Sequence, residues 1–112
     1  MINLILTIII LQTNLYRLQN NVPILIENKE LNQIAQIRSK EIYETGKFQH
    51  DLSWGNKTNC SYLGENLAKN LINPFENWIN SPSHKANILS KNYNQIGIGK
   101  TGPYTVQIFC HQ

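Results

Sequence analysis

Two histidines and a glutamate, His50, Glu65 and His84, are the residues of this 112-residue chain best suited to chemistry. Two imidazoles and a carboxylate suffice to hold a zinc ion with one position left open. They also suffice for general acid–base work. Spacing does not choose between these uses. The three lie fifteen and nineteen residues apart, unlike the tight i, i+4 histidine pair of a helical zinc motif. The plainer alternative keeps all three structural, with His84 and Glu65 satisfying backbone donors and His50 exposed. A nucleophile is harder to find. Cys60 has no histidine at a recognisable spacing, and the chain contains no Gly-x-Ser-x-Gly elbow. The glycines of "GIGK" sit in a strand pattern and lack the spacing of a phosphate-cradling loop. Trp54 and Trp78 read as core or cleft-wall residues.

The elements that must position these groups are readable from periodicity and punctuation. Ile8, Leu11, Leu15 and Leu18 recur at helical spacing and predict a first helix from near Ile8 to Gln19. Asn20, Asn21 and Pro23 end it. A second helix follows, capped by Asn28, with Leu31, Ile34, Ala35 and Ile42 as its apolar stripe and Gly46 at its stop. The stretch from Lys47 to Tyr62 is loop-like. Its two glycosylation-type triplets, at Asn56 and Asn59, are what an Asn-rich chain produces by chance. "SYLGENLA" is a strand candidate. Asn73 and Pro74 open a short helix whose apolar face is Phe75, Trp78 and Ile79. Ser81 and Pro82 open another, placing His84 in its first turn. The chain closes as a hairpin, "QIGIGK" and "YTVQIFC" around a "TGP" turn, with Tyr104, Val106, Ile108 and Cys110 on one face. Helices first and strands last predict an α+β layered domain.

Composition narrows the classes. The length fits one domain, and 41% hydrophobic with 15% charged residues fits a globular chain with a core. Ten basic residues against seven acidic give a net charge of +3, scattered from Arg17 to Lys100 without a run. A nucleic-acid binder concentrates such charge on a stripe or patch, so no nucleic-acid partner is expected. The two cysteines, Cys60 and Cys110, form either one disulfide in an oxidising compartment or two free buried thiols. Residues 1–11 are an apolar lead-in, the remnant of a secretion signal or the start of the first helix. They lack a basic opening and a cleavage site, and they are too short to cross a bilayer. No other transmembrane segment is visible. Residues 12–112 make up the domain, which is expected to be a monomer.

Taken in order, "GENLA", "W-x-x-S-P-x-H-K-A-N-I-L", "Y-x-x-I-G-I-G" and "Y-T-V-Q-I-F" resemble the CAP superfamily of cysteine-rich secretory, antigen-five and pathogenesis-related-one proteins, or SCP domains. The single-domain bacterial-type members share the Ser-Pro-x-His wording. The resemblance covers nearly the whole chain, including the Phe-x-His that ends in His50. It implies a three-layer α–β–α sandwich with a small, largely antiparallel central sheet. It also implies a large cleft in which His50, Glu65 and His84 collect, with Trp78 and Asn66 beside them. Many eukaryotic members place a second glutamate three residues after the tryptophan; here that position is Ser81, so the four-membered cluster is incomplete. The implied setting is extracellular, secreted or envelope-associated. Two functions follow. One is a non-enzymatic binding module that needs no cofactor and takes a small molecule, lipid, glycan or extracellular protein. The other is a hydrolase with a divalent ion such as zinc on His50 and His84 and Glu65 as general base. The missing nucleophile and the missing glutamate favour the first. A scaffold that has lost its ancestral site is the third, blander reading.

Overall fold

The computed structural model describes residues 3–112. In chain order it contains α1 (Leu4–Gln19), β1 (Ile26–Glu27), α2 (Lys29–Thr45), a 3₁₀ turn (Ser53–Lys57), β2 (Tyr62–Lys69), α3 (Phe75–Ile79), α4 (Pro82–Leu89), β3 (Gln95–Thr101) and β4 (Tyr104–His111). The strands make one sheet in the order β1-β3-β4-β2. β1 runs parallel to β3, and the remaining pairs are antiparallel. The architecture is α+β, as the helices-then-strands pattern predicts.

Local chemistry accounts for the element ends. Asn28 Oδ1 accepts from the N–H groups of Glu30 and Leu31 at 2.8 and 3.2 Å, capping α2. The helix stops at Gly46, whose φ of 73° favours a residue without Cβ. Asn73 Oδ1 accepts from the Phe75 N–H at 2.9 Å, one position earlier than a standard cap, and Pro74 leads into α3.

Alternation along the strands divides the interior into two cores. Leu67, Val106, Ile108 and Cys110 face α2, where they meet Leu31, Ala35, Ile42 and Trp54. Ala68, Ile96, Ile98 and Phe109 face the other way, onto Ile9, Ile10, Phe75, Trp78 and Ile88 of α1, α3 and α4. The sheet is thus a middle layer between helices. α2 lies so close to β3 that a Cβ on Gly97 would meet the Leu31 backbone, and one on Gly99 the Gln36 backbone. Cys60 and Cys110 form a disulfide with Cα atoms 5.4 Å apart, linking the approach to β2 with β4. Closing its 50-residue loop is worth roughly 4 kcal/mol of unfolded-state entropy.

Both sheet edges are closed by side chains. β1 covers β3 for only two residues. Beyond it, Asn32 Oδ1 accepts from the Ile98 N–H at 2.9 Å. The Gln36 amide both accepts from the Lys100 N–H and donates to its carbonyl, each at 3.0 Å, as a neighbouring strand's peptide would. On the outer edge of β2, alternate carbonyls accept from three side chains. The Tyr93 hydroxyl serves Leu63, the Asn87 amide serves Glu65 and the Trp78 indole serves Leu67, at 3.0, 3.3 and 3.1 Å. An open strand edge invites pairing with another chain; these amides, hydroxyl and indole occupy it.

One expectation is corrected. α1 starts at Leu4, with Asn3 as its cap, so residues 4–11 are helical; Met1 and Ile2 lie outside the described residues. Its buried face is not the Ile8–Leu11–Leu15–Leu18 stripe. The helix buries Ile9, Ile10, Thr13 and Arg17 instead, and Leu11, Leu15 and Leu18 are 64, 57 and 57% exposed. The reason is chemical. Arg17 donates to the carbonyls of Pro23, Ile88, Ser90 and Tyr93, and Thr13 bonds to Gln107. The face that packs is the one whose polar members find partners inside.

Candidate functional site

Glu65 and Asn66 are consecutive on β2, so their side chains leave opposite faces of the sheet. Glu65 points towards α2, with its side chain 1% exposed. A carboxylate this deep needs a counter-charge, and Arg38 supplies it. Leu31, Ala35, Arg38 and Ile42 form the inner stripe of α2 at i, i+4, i+7 and i+11. Arg38 therefore faces the sheet directly over Glu65. Its Nε donates to Glu65 Oε2 at 2.9 Å and its Nη2 to Oε1 at 3.0 Å, a fork on both oxygens. Burial pulls the Arg38 pKa down, but the Glu65 hydrogen bond and charge, helped by Asp51 and Glu41, outweigh it and leave the pKa raised.

The same carboxylate organises the loop after α2. Glu65 Oε1 accepts from the Asp51 N–H at 3.2 Å and meets His50 Nδ1 at 3.1 Å. Arg38 Nη2 also donates to the Gln49 carbonyl at 3.1 Å. His50 is thereby fixed by Nδ1 with its side chain 60% exposed, and its Nε2 has no protein partner among the described residues.

His84 reaches the neighbourhood from the other side of β2. It occupies the first turn of α4, after Pro82. Its Nδ1 lies 2.8 Å from Ser81 Oγ, and its carbonyl accepts from Asn66 Nδ2 at 3.2 Å. Ser81 thus spends its hydroxyl on the imidazole rather than on an α4 backbone N–H. Burial, and after it the nearby His50, hold the His84 pKa below its ordinary value. His84 is close enough to sense His50 but makes no hydrogen bond to Glu65.

Two residues expected along the cleft stand behind it. Trp78 is 1% exposed, its indole N–H bonded to the Leu67 carbonyl. Asn66 is fully buried, bonded to Gln107, Asn87 and the His84 carbonyl. Both support the site from inside. The residue the sequence reading missed is Arg38. Its signal was present: a cation at the i+7 position of an apolar stripe must be neutralised by something across the core.

The space around these groups is modest. A cavity of about 110 Å³ lies between α2 and the 3₁₀ turn, lined by Ile34, Ile37 and Trp54 with Arg38, Asp51 and Lys57. Another of about 210 Å³ adjoins it on the far side of Arg38, beside Glu41, Thr45 and Gln49. Larger clefts of about 350 and 450 Å³ lie elsewhere, between α1 and α2 and between α1 and α3. None of these four is lined by His50 or His84.

The donor set does not fit a divalent ion such as zinc. Both Glu65 oxygens are taken by Arg38, which leaves only the imidazoles of His50 and His84. Among the described residues no group of three His, Cys, Asp or Glu side chains is placed to hold a metal ion.

An α–β–α sandwich with a histidine-bearing loop and helix start flanking a buried glutamate defines a class of small α+β domains. Residues 11–107 match the model of the cysteine-rich secretory protein family, CAP, and the chain belongs to that family. Three solved structures share its fold. An extracellular protein containing an SCP domain from Bacillus anthracis superposes with a TM-score of 0.90 at 23% identity, over 96% of this chain and 40% of that one. A cysteine-rich secretory protein from Staphylococcus aureus gives 0.85 at 22%, over 96% and 38%. An outer surface protein from Borrelia burgdorferi gives 0.86 at 22%, over 96% and 92%. The chain therefore spans about 40% of the length of the first two. No curated protein matches it. No described helix is long and apolar enough to cross a membrane.

Proposed function

We infer that this chain is an extracellular, non-enzymatic binding module of the CAP family that needs no resident metal. The binding groups are the free Nε2 edges of His50 and His84, with the apolar-and-charged cavity beside Arg38 as the adjoining pocket. One observation carries the reading: the Glu65 carboxylate is used up. Two bonds from Arg38, one from the Asp51 N–H and the contact with His50 fill its oxygens. A general base must be within reach of the proton it takes and free to accept it; Glu65 instead holds His50 in place. The extracellular or outer-surface descriptions of the structurally similar proteins support the setting. The surface suits a polar, hydrogen-bonding ligand with an apolar edge, as a glycan or an extended peptide offers.

Isothermal titration with zinc at pH 7, alongside a thermal-shift screen of glycans, lipids and envelope extracts, tests this. The expected result is negligible zinc heat and at least one polar ligand whose thermal shift disappears in His50→Ala with His84→Ala. His50 is exposed, so its replacement leaves the fold in place. Stoichiometric zinc binding together with hydrolysis lost in Glu65→Gln would overturn it.

A further inference from the structure

We propose that α1 carries a second binding surface, and that its occupant is α1 of a second copy of this chain. The face of α1 turned away from the core presents Leu4, Ile8, Leu11, Leu15 and Leu18, spaced four, three, four and three residues apart. That is the a/d spacing of a coiled-coil seam sustained over the whole helix. The core does not use it: Leu4, Leu11, Leu15 and Leu18 are 67, 64, 57 and 57% exposed. The inward face, by contrast, is filled by Ile9, Ile10, Thr13 and Arg17. The loop before α3, seated beside this helix, is apolar at its tip as well. Asn73 Nδ2 donates to Gln12 Oε1 at 2.8 Å and seats that loop against the middle of α1. Leu71 and Ile72, just before it, are 83 and 67% exposed. Monomeric soluble domains rarely leave so large an apolar patch uncovered.

Three features favour a second copy over other occupants. First, an a/d seam is complementary to itself, and a twofold axis lets each seam meet the same surface of its partner. Second, charge permits it. Arg17 is the only charged residue of α1, and it is buried. Two such faces meet without repulsion although each chain carries a net charge of +3. A helix lying on an anionic membrane would instead carry Lys and Arg along its polar face; here that positioning is absent. Third, the area suffices. Each exposed leucine offers on the order of 100 Å² of apolar surface. The seam with Leu71 and Ile72 supplies roughly 500 Å² per chain, so a symmetric pair buries about 1,000 Å², the lower bound for a specific interface. The association is therefore expected to be reversible and concentration-dependent, with a dissociation constant in the micromolar range.

Sedimentation velocity of the full 112-residue chain across a concentration series reads this directly, with intact mass confirming that Leu4–Leu18 is present. The expected result is a monomer–dimer equilibrium that persists in high salt. Leu11→Glu with Leu15→Glu weakens it at least about a hundredfold, while Leu52→Glu, an exposed leucine off the seam, leaves it unchanged. Both positions of the double variant are solvent-exposed, and circular dichroism checks that it keeps the native helix content and melting behaviour as a monomer. A chain that stays monomeric at about 100 μM, well above that dissociation constant, overturns the proposal. Association that vanishes with salt also overturns it. So do flotation on phosphatidylcholine vesicles in place of dimerisation, and removal of the first half of α1 from the secreted protein.

Discussion

Glu65 and Asn66 are neighbours in the chain, yet they anchor two polar clusters of opposite character. On the α2 face, Glu65 gathers Arg38, His50 and the Asp51 N–H into a charged set that opens to solvent at His50. On the other face, Asn66 joins Gln107, its cross-strand partner, and Asn87. Gln107 in turn bonds Thr13 of α1 at 2.9 Å. That second set is neutral and buried, and it ties β2, β4, α1 and α4 together. A satisfied neutral network adds rigidity at little electrostatic cost. A buried ion pair carries a large desolvation penalty that apolar residues would avoid. A fold that needed only rigidity would use the neutral kind on both faces. The charged kind stands where it fixes an imidazole at the surface, on the α2 side of β2.

The comparison breaks most severely at Arg38. Arg38→Met keeps the bulk of the side chain and strands the Glu65 carboxylate in the core. The expected loss is about 3–5 kcal/mol of stability at pH 7, read as a drop in denaturant midpoint. A variant as stable as the parent at pH 7 would show that the pair is not electrostatically coupled to folding.

The neutral cluster should respond more mildly. Gln107→Leu removes the link between Thr13 and Asn66, but each keeps another bond: Thr13 to the Ile9 carbonyl and Asn66 to the His84 carbonyl. The cost is therefore about 1–2 kcal/mol, with no dependence on pH between 5 and 8. A loss as large as that of Arg38→Met, or one that varies with pH, would mean the two faces of β2 are not electrically distinct.

The sequence made the frame of this comparison legible, but not the pairing inside it. The helix cap at Asn28, the Asn73–Pro74 turn into α3, the stop at Gly46, the closing hairpin and its inward Cys110 follow from local rules that need no tertiary information. His50, Glu65 and His84 stood out because of their types and their ordered motifs. What escaped were the polar residues inside the apolar stripes of the two long helices. Arg38 and Ser39 on α2, and Thr13 and Arg17 on α1, are buried, yet pattern reading counts only apolar positions. On α1 this mattered: leucines spaced like a core stripe stayed outside, because the competing face had partners for its polar members. The closure of both strand edges by Asn32, Gln36, Asn87, Tyr93 and Trp78 was equally hidden, since it depends on contacts 11 to 66 residues apart.

His84 belongs to both clusters, and this makes it the finest test of the comparison. Its carbonyl accepts from Asn66 of the neutral set, while its ring senses His50 of the charged set. Burial first, and His50 second, lower its pKa in the folded protein. At pH 7 the ring is mostly neutral in both folded and unfolded chains, and the shift has little effect on stability. As pH falls through about 6.5, the unfolded chain binds its proton before the folded one, so the unfolded state carries more protons and stability declines. The decline is complete once pH is below the folded value. His84→Gln keeps a polar side chain beside Ser81 but cannot titrate. The parent should therefore lose more stability than this variant between pH 7 and pH 5, in urea melts at fixed ionic strength. If the two curves run parallel, the His84 ring is as well solvated folded as unfolded, and it belongs to the surface rather than to the seam between the two sets.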